Sequence, residues 1–150
     1  MQNTLQRDGL AGYEIPTQAT LLALMQRAPR NAVFFDVGAH IGLYSAMIAT
    51  VYRTRGVNIF AFEPTPATLK ICHAIRDDNH LDYEIVESAV SSQPGTADLF
   101  LSDTWDTSNS LNSHHRNSTA AVTVPVITLD MFSAERGLDP YLGEDRCGDV

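Results

Sequence analysis

The feature that most restricts the fold is an alternation of two patterns. Residues 32–37 (AVFFDV) and 57–62 (VNIFAF) are short, unbroken apolar runs. Such runs suit strands buried on both faces, as in a parallel sheet. Between them, residues 43–53 place Leu43, Met47, Ile48 and Val51 on or near one helical face, and Gly56 supplies a C-cap. Before them, Pro16 and Thr17 open a helical stretch over 18–27 whose apolar residues are Leu21, Leu22, Leu24 and Met25. Proline suits a first helical turn, because the N–H it lacks has no partner there anyway. After the second run Pro64 and Pro66 break the chain. A helix over 67–77 follows, with Leu69, Ile71, Cys72 and Ile75 mostly inward, and then a third short strand over 83–86. Strand, helix, strand, helix, strand predicts an α/β domain with a parallel sheet and right-handed crossovers.

Beyond Ser91 the pattern changes. Pro94 and Gly95 signal a turn, and residues 96–101 alternate like an antiparallel strand. Residues 103–119 are rich in Ser, Asn, Asp and Thr and contain His114 and His115, which reads as a long loop. Loops of that length are usually functional or mobile. Residues 121–127 (AVTVPVI) form a strand whose Pro125 predicts an edge position. Residues 128–136 form a helix, with Thr128 as N-cap and Gly137 as C-cap. The tail over 139–150 is acidic and lacks a clear element.

At 150 residues one domain is expected. The apolar fraction of 44% fits a globular chain. The longest apolar runs, 21–25 and 46–51, fall far short of the ~20 residues a bilayer span needs, so no membrane partner is expected. The net charge is −8 and Lys70 is the one lysine, which disfavours nucleic acid, since phosphate contacts need clustered cations. Arg27 with Arg30, and Arg53 with Arg55, are read as cations at helix C-termini, favoured by the dipole. Cys72 and Cys147 have no metal-ligand spacing and cannot build a disulfide framework, so no metal is expected. The N-terminus shows no basic stretch followed by an apolar core. A reducing, cytoplasmic setting is the expectation.

The informative stretch is FFDVGAHIGLYS, residues 34–45. A buried strand delivers Asp36, a turn carries Gly38 and Gly42, and a helix begins with its free N–H groups facing any ligand. The spacing is Gly-x-x-x-Gly. The dinucleotide fingerprint needs a middle glycine where this chain has His40, so a nucleoside ligand without a pyrophosphate fits better. Glu63 lies 21 residues past Gly42, at the end of the second strand. An acid there can accept both ribose hydroxyl protons. Strand end and glycine turn together point to a ribose-bearing cofactor. At the end of the third strand, Glu87 or Ser88 either hydrogen-bonds an adenine edge or caps the local backbone.

The order FFDVGAHIGLYS, IFAFEPTPATL, IVESAVSSQPGTADLFLS, VTVPVITLDMF resembles the FkbM family of S-adenosylmethionine-dependent methyltransferases. The VPVITLD segment at 124–130 separates this family from other methyltransferases of the same fold. The resemblance implies a doubly wound, mostly parallel sheet of the class I methyltransferase type, with S-adenosylmethionine as cofactor. It also implies that Asp36, Gly38, Ala39, His40 and Gly42 line the pocket for the methionine part and ribose. Glu63 would bind the ribose hydroxyls, Pro64 would shape the turn, and Ser88 and Ala89 would sit near the adenine. His40 is expected neutral at pH 7, because a charged ring would face a sulfonium. The implied reaction is methyl transfer to a hydroxyl of a small molecule or carbohydrate, which needs orientation and, for an alcohol, a base. No strong base stands out: His114, His115, Tyr44 and Asp103 are the candidates, and Trp105 could pack on the substrate. A non-catalytic nucleoside-binding module is the alternative.

The family continues with a strand ending in an Asp-Val-Glu-Gly motif, whereas this sequence stops at Gly148, Asp149 and Val150. The sheet, in the order 3-2-1-4-5, is therefore expected to be incomplete at the C-terminus. Its first strand would become an exposed edge that invites self-association, and activity is expected to be low.

Overall fold

The structure, a computed structural model, describes residue 7, residues 9–101 and residues 120–139. The loop read over 103–119, with Asp103, Trp105, His114 and His115, and the tail with Cys147 lie outside the described residues.

Helix α1 (Ile15–Arg27) starts with a proline in its first turn, as its sequence predicts. Strand β1 (Val33–Val37), helix α2 (Leu43–Val51), strand β2 (Asn58–Phe62), helix α3 (Pro66–Asp78) and strand β3 (Glu84–Val86) follow in the expected alternation. The second helix ends at Val51, two residues early. A single 3-10 turn, Arg53–Arg55, then leads into Gly56, whose φ of 66° closes the segment. Beyond β3 come β4 (Ala89–Val90), β5 (Gly95–Leu101), β6 (Ala120–Ile127) and helix α4 (Leu129–Arg136).

Strands β1, β2 and β3 form an all-parallel sheet with β2 in the middle. Period-2 alternation sends successive β2 residues to opposite faces. Ile59 and Ala61 join a core with Met47, Ile48 and Cys72 from α2 and α3, and Met25 from α1. Phe60 and Phe62 turn the other way and meet Phe132 of α4. Phe62 and Phe132 pack edge to face at 5.0 Å between ring centres, and Phe35 adds a third ring 5.5 Å from Phe62. Edge-to-face pairs at such distances add to simple area burial. The parallel sheet is thus covered on both faces, which explains why β2 reads as a continuous apolar run. Arg136 closes this side: its guanidinium lies over the Phe132 ring at 4.4 Å and pairs with Glu84 at 2.7 Å.

Three expectations need correction. A doubly wound, mostly parallel sheet was expected, but among the described residues there are two three-stranded sheets, the first all-parallel and the second in the order β4-β6-β5. Both edges of β2 are already taken, and the chain turns sharply after β3, with the Ser88 amide donating to the Val86 carbonyl at 2.8 Å. Two-residue β4 therefore pairs parallel with β6, and β5 pairs antiparallel with β6. Pro125 was expected on an edge, yet β6 is the central strand. The ladder tolerates it because β4 reaches only Val126 and Ile127, so among the described residues no strand lies beside Pro125 on that side. The reading of the arginines as helix-end cations holds for Arg55, which donates to the Met25, Gln26 and Ala28 carbonyls at the end of α1. Arg30 instead donates to the Thr54 carbonyl, in the 3-10 turn. Thr128 caps α4 as its sequence predicts, accepting from the Met131 amide at 3.1 Å, and Gly137 ends that helix at φ 62°.

Candidate ligand site

The carboxyl ends of β1 and β2 meet at the glycine turn. Gly38 and Ala39 both donate their amides to the Phe62 carbonyl, at 2.9 and 3.0 Å. The next residue of β2's chain, Glu63, is buried at 6% exposure and carries the turn further. Its Oε2 accepts from the His40 amide at 2.9 Å, and its Oε1 accepts from the Thr65 amide at 2.8 Å. One carboxylate therefore fixes both the turn after β1 and the turn after β2. Each oxygen has a further lone pair, so the group can accept two more protons without releasing either amide.

Asp36 works at the root of the same turn. It is buried, and its Oδ2 accepts from the Ser45 amide at 3.1 Å and from the Ser45 hydroxyl at 2.7 Å. The last residue but one of β1 thus caps the first turn of α2. Burial holds the Asp36 carboxyl above the usual carboxylate range, the Ser45 bonds pull it back down, and the nearby Glu63 charge raises it.

Gly38 has φ 74° and Gly42 has φ 77°. His40 between them also sits at positive φ, 55°, a conformation uncommon for a residue with a side chain. Burial lowers the pKa of the His40 ring, with Glu63 opposing the shift, which agrees with a neutral imidazole at pH 7. Its Nδ1 is buried without a hydrogen-bond partner among the described residues.

The remaining residues named from the sequence divide. Ser88 is buried beside the Glu63 end of the sheet, where the Glu63 amide donates to the Val86 carbonyl. Ala89 packs its side chain with Leu99, Val124 and Val126 in the core of the second sheet. Glu87 is exposed and pairs with His73 of α3 at 3.0 Å. Pro64, with Leu69, Lys70, His73, Glu87 and Pro125, lines a groove of about 290 Å³ between α3 and β6. None of the glycine-turn residues lines that groove.

Sequence reasoning missed Ser45, Thr65 and Glu14. Ser45 is nine residues from the acid it serves, so no local spacing marks it. Glu14 precedes α1 and its carboxylate accepts from the Tyr44 hydroxyl in the first turn of α2. Its one visible signal is the proline two residues on, which marks a helix start without naming a partner.

A parallel sheet whose strand ends carry a glycine turn closed by a buried acid defines an α/β domain with that turn at the carboxyl edge of its strands. The chain belongs to the FkbM methyltransferase domain family, whose pattern matches residues 36–140. No curated relative matches the chain. Among solved structures it is similar to a protein of Galdieria sulphuraria described as a sarcosine dimethylglycine methyltransferase, with 22% identity and a TM-score of 0.38. That match covers 47% of this chain and 26% of the other. It is also similar to the Pyrococcus abyssi tRNA (uracil-54, C5)-methyltransferase in complex with S-adenosyl-L-homocysteine, with 16% identity and a TM-score of 0.35. There it covers 47% of this chain and 17% of the other. The chain thus spans about a quarter or less of these two proteins. Among the described residues no helix is long and apolar enough to cross a membrane.

Proposed function

We propose that this chain binds S-adenosylmethionine at the glycine turn and serves methyl transfer to a hydroxyl of a small molecule or carbohydrate. The observation that carries the reading is Glu63, a buried carboxylate at the end of β2 whose two oxygens are already aimed by the His40 and Thr65 amides. The residues fit the cofactor. Among the described residues nothing lies within 4 Å of the place a Gly38 side chain would occupy, which leaves room for a ligand to approach the backbone there. Glu63 has lone pairs left for two ribose hydroxyls, and a neutral His40 adds no charge against a sulfonium. We read the β1–β3 sheet, with α1, α2 and α3 on one face and α4 on the other, as part of a doubly wound sheet of the class I methyltransferase type. Ser88 then bounds the adenine side, while Ala89 supports it from the second sheet.

Bound cofactor supplies a methyl group activated on a sulfonium. The protein's own work is orientation and exclusion of water. Asp36, through Ser45, holds the first turn of α2 so that its free amides face the ligand. Glu63 fixes the ribose end. We place the protein in the cytoplasm, without nucleic acid or membrane as partners. We place self-association at the outer edge of β1, which carries no strand among the described residues and where Val37 is 52% exposed.

Calorimetric titration with S-adenosylmethionine and, in parallel, with NAD tests the reading. The first should bind and the second should not. Glu63→Ala should weaken S-adenosylmethionine at least tenfold, since charge-assisted hydrogen bonds are each worth ~1.5–3 kcal/mol. It should also cost about 2 kcal/mol of stability by removing the acceptor of the buried Thr65 amide and the part-buried His40 amide. Unchanged affinity in that variant refutes the assignment, and binding with no transfer to any acceptor leaves a non-catalytic nucleoside-binding module.

A further inference from the structure

Glu14 has a backbone that its local role does not require. It occupies the N-cap position of α1 at φ 43°, ψ 49°, the left-handed region, yet its side chain makes no capping hydrogen bond. A non-glycine residue held there stores strain, which persists only where the surroundings impose it and is concentrated at functional sites. The carboxylate instead reaches across 30 residues of sequence and accepts from the Tyr44 hydroxyl. Tyr44 is the second residue of α2, two positions beyond Gly42 and next to Ser45, which Asp36 grips. The strained residue therefore ties the start of α1 to the helix turn that carries the ligand loop. The same neighbourhood shows in the ionisation of the tyrosines. The Tyr44 hydroxyl is pushed up to about 12 by burial and by Glu14, with Thr17 opposing and Tyr13 adding to the rise. Tyr13 is raised as well, by burial and by Glu14. Tyr44 consequently stays protonated and remains the donor to Glu14.

We propose that Glu14 is a positioning residue of the ligand site, spending backbone strain to hold Tyr44, and with it the first turn of α2, in the geometry that binds the cofactor. The role rests on the methyl-transfer reading of the glycine turn. Its signature is an opposition that a merely structural contact does not produce: relieving the strain costs affinity but not stability.

The test uses the full chain, with S-adenosylhomocysteine as the probe, followed by calorimetry, and thermal unfolding of the unliganded protein. Glycine takes the left-handed conformation freely and asparagine tolerates it, but neither carries a carboxylate to Tyr44. Glu14→Gly and Glu14→Asn should hold or raise the unfolding midpoint while weakening the probe at least fivefold. Tyr44→Phe should weaken it to the same extent, and the Glu14→Asn, Tyr44→Phe double variant no further than either single change. Wild-type affinity in both Glu14 variants overturns the proposal, and so does a loss of affinity matched by a lowered midpoint. If the unaltered chain itself fails to bind the probe, the cofactor reading falls first and this role falls with it. That outcome is separate from a chain that binds but is indifferent to Glu14.

Discussion

The two ends of the turn after β1 carry the same residue at nearly the same φ, yet their surroundings are opposite. Gly38 and Gly42 have φ values of 74° and 77°. A side chain at Gly42 would lie 2.7 Å from Cys72 Sγ and 3.1 Å from the Tyr83 hydroxyl. Among the described residues, a side chain at Gly38 would meet nothing within 4 Å. Backbone strain alone would make the two positions equally intolerant. Packing separates them: Gly42 is where α2 presses against α3 and the chain leading into β3, whereas Gly38 has no such neighbour among the described residues. One sequence motif thus holds a tightly packed glycine and an open one four residues apart.

The largest effect should come from closing the tight end. Gly42→Ala adds left-handed strain of ~1–2 kcal/mol and an overpacking cost of ~1–3 kcal/mol, because Cys72 is fully buried and cannot yield. A loss of about 3 kcal/mol in urea unfolding is expected. A loss below about 1 kcal/mol would show that the Cys72 and Tyr83 contacts are soft and would remove the contrast between the two glycines. At the open end, Gly38→Val should cost stability only through strain, about 1–2 kcal/mol, while S-adenosylmethionine affinity falls below detection. Normal binding by that variant would make both glycines structural.

What the sequence revealed and what it hid divide along sequence distance. The apolar runs that became β1 and β2, the proline opening α1, the Thr128 cap and the Gly137 stop are local patterns, and each produced its element. The acid at 63 was legible because a crossover helix has a nearly fixed length, which fixes where the second strand ends. Two-residue β4 carries too little pattern to be seen. Pro125 misled because the rule for proline in strands concerns the neighbours present at that residue, and β4 stops one residue short of it. The ties of Asp36 to Ser45, of Glu63 to His40 and of Glu14 to Tyr44 span 9, 23 and 30 residues. They form only after the sheet and helices have brought their ends together, so Asp36, His40, Tyr44 and Glu63 stood out in the sequence while Ser45 and Glu14, and all three pairings, did not.

The smallest expected effect concerns the acid that supports both ends of the turn. Asp36 is buried, and its pKa is raised above 3.8, chiefly by desolvation. A carboxyl with a raised folded-state pKa binds its proton more tightly in the folded chain than in the unfolded one. Its contribution is fully present below the unfolded pKa and is lost as pH rises through the folded one. Ionising Asp36 therefore costs the folded chain more than the unfolded one. Asp36→Asn removes that charge and keeps a side-chain oxygen that can accept from the Ser45 amide and hydroxyl, so at pH 7 its stability should lie within about 1 kcal/mol of wild type. The difference between the two proteins, measured by urea unfolding at several pH values, isolates Asp36, because His40 and the other carboxylates are common to both. That difference should move in favour of the Asp36→Asn variant as pH rises from about 4 to 7. A shift in the opposite direction would mean that the Ser45 hydrogen bonds outweigh desolvation, and that the charge of Asp36 strengthens the turn.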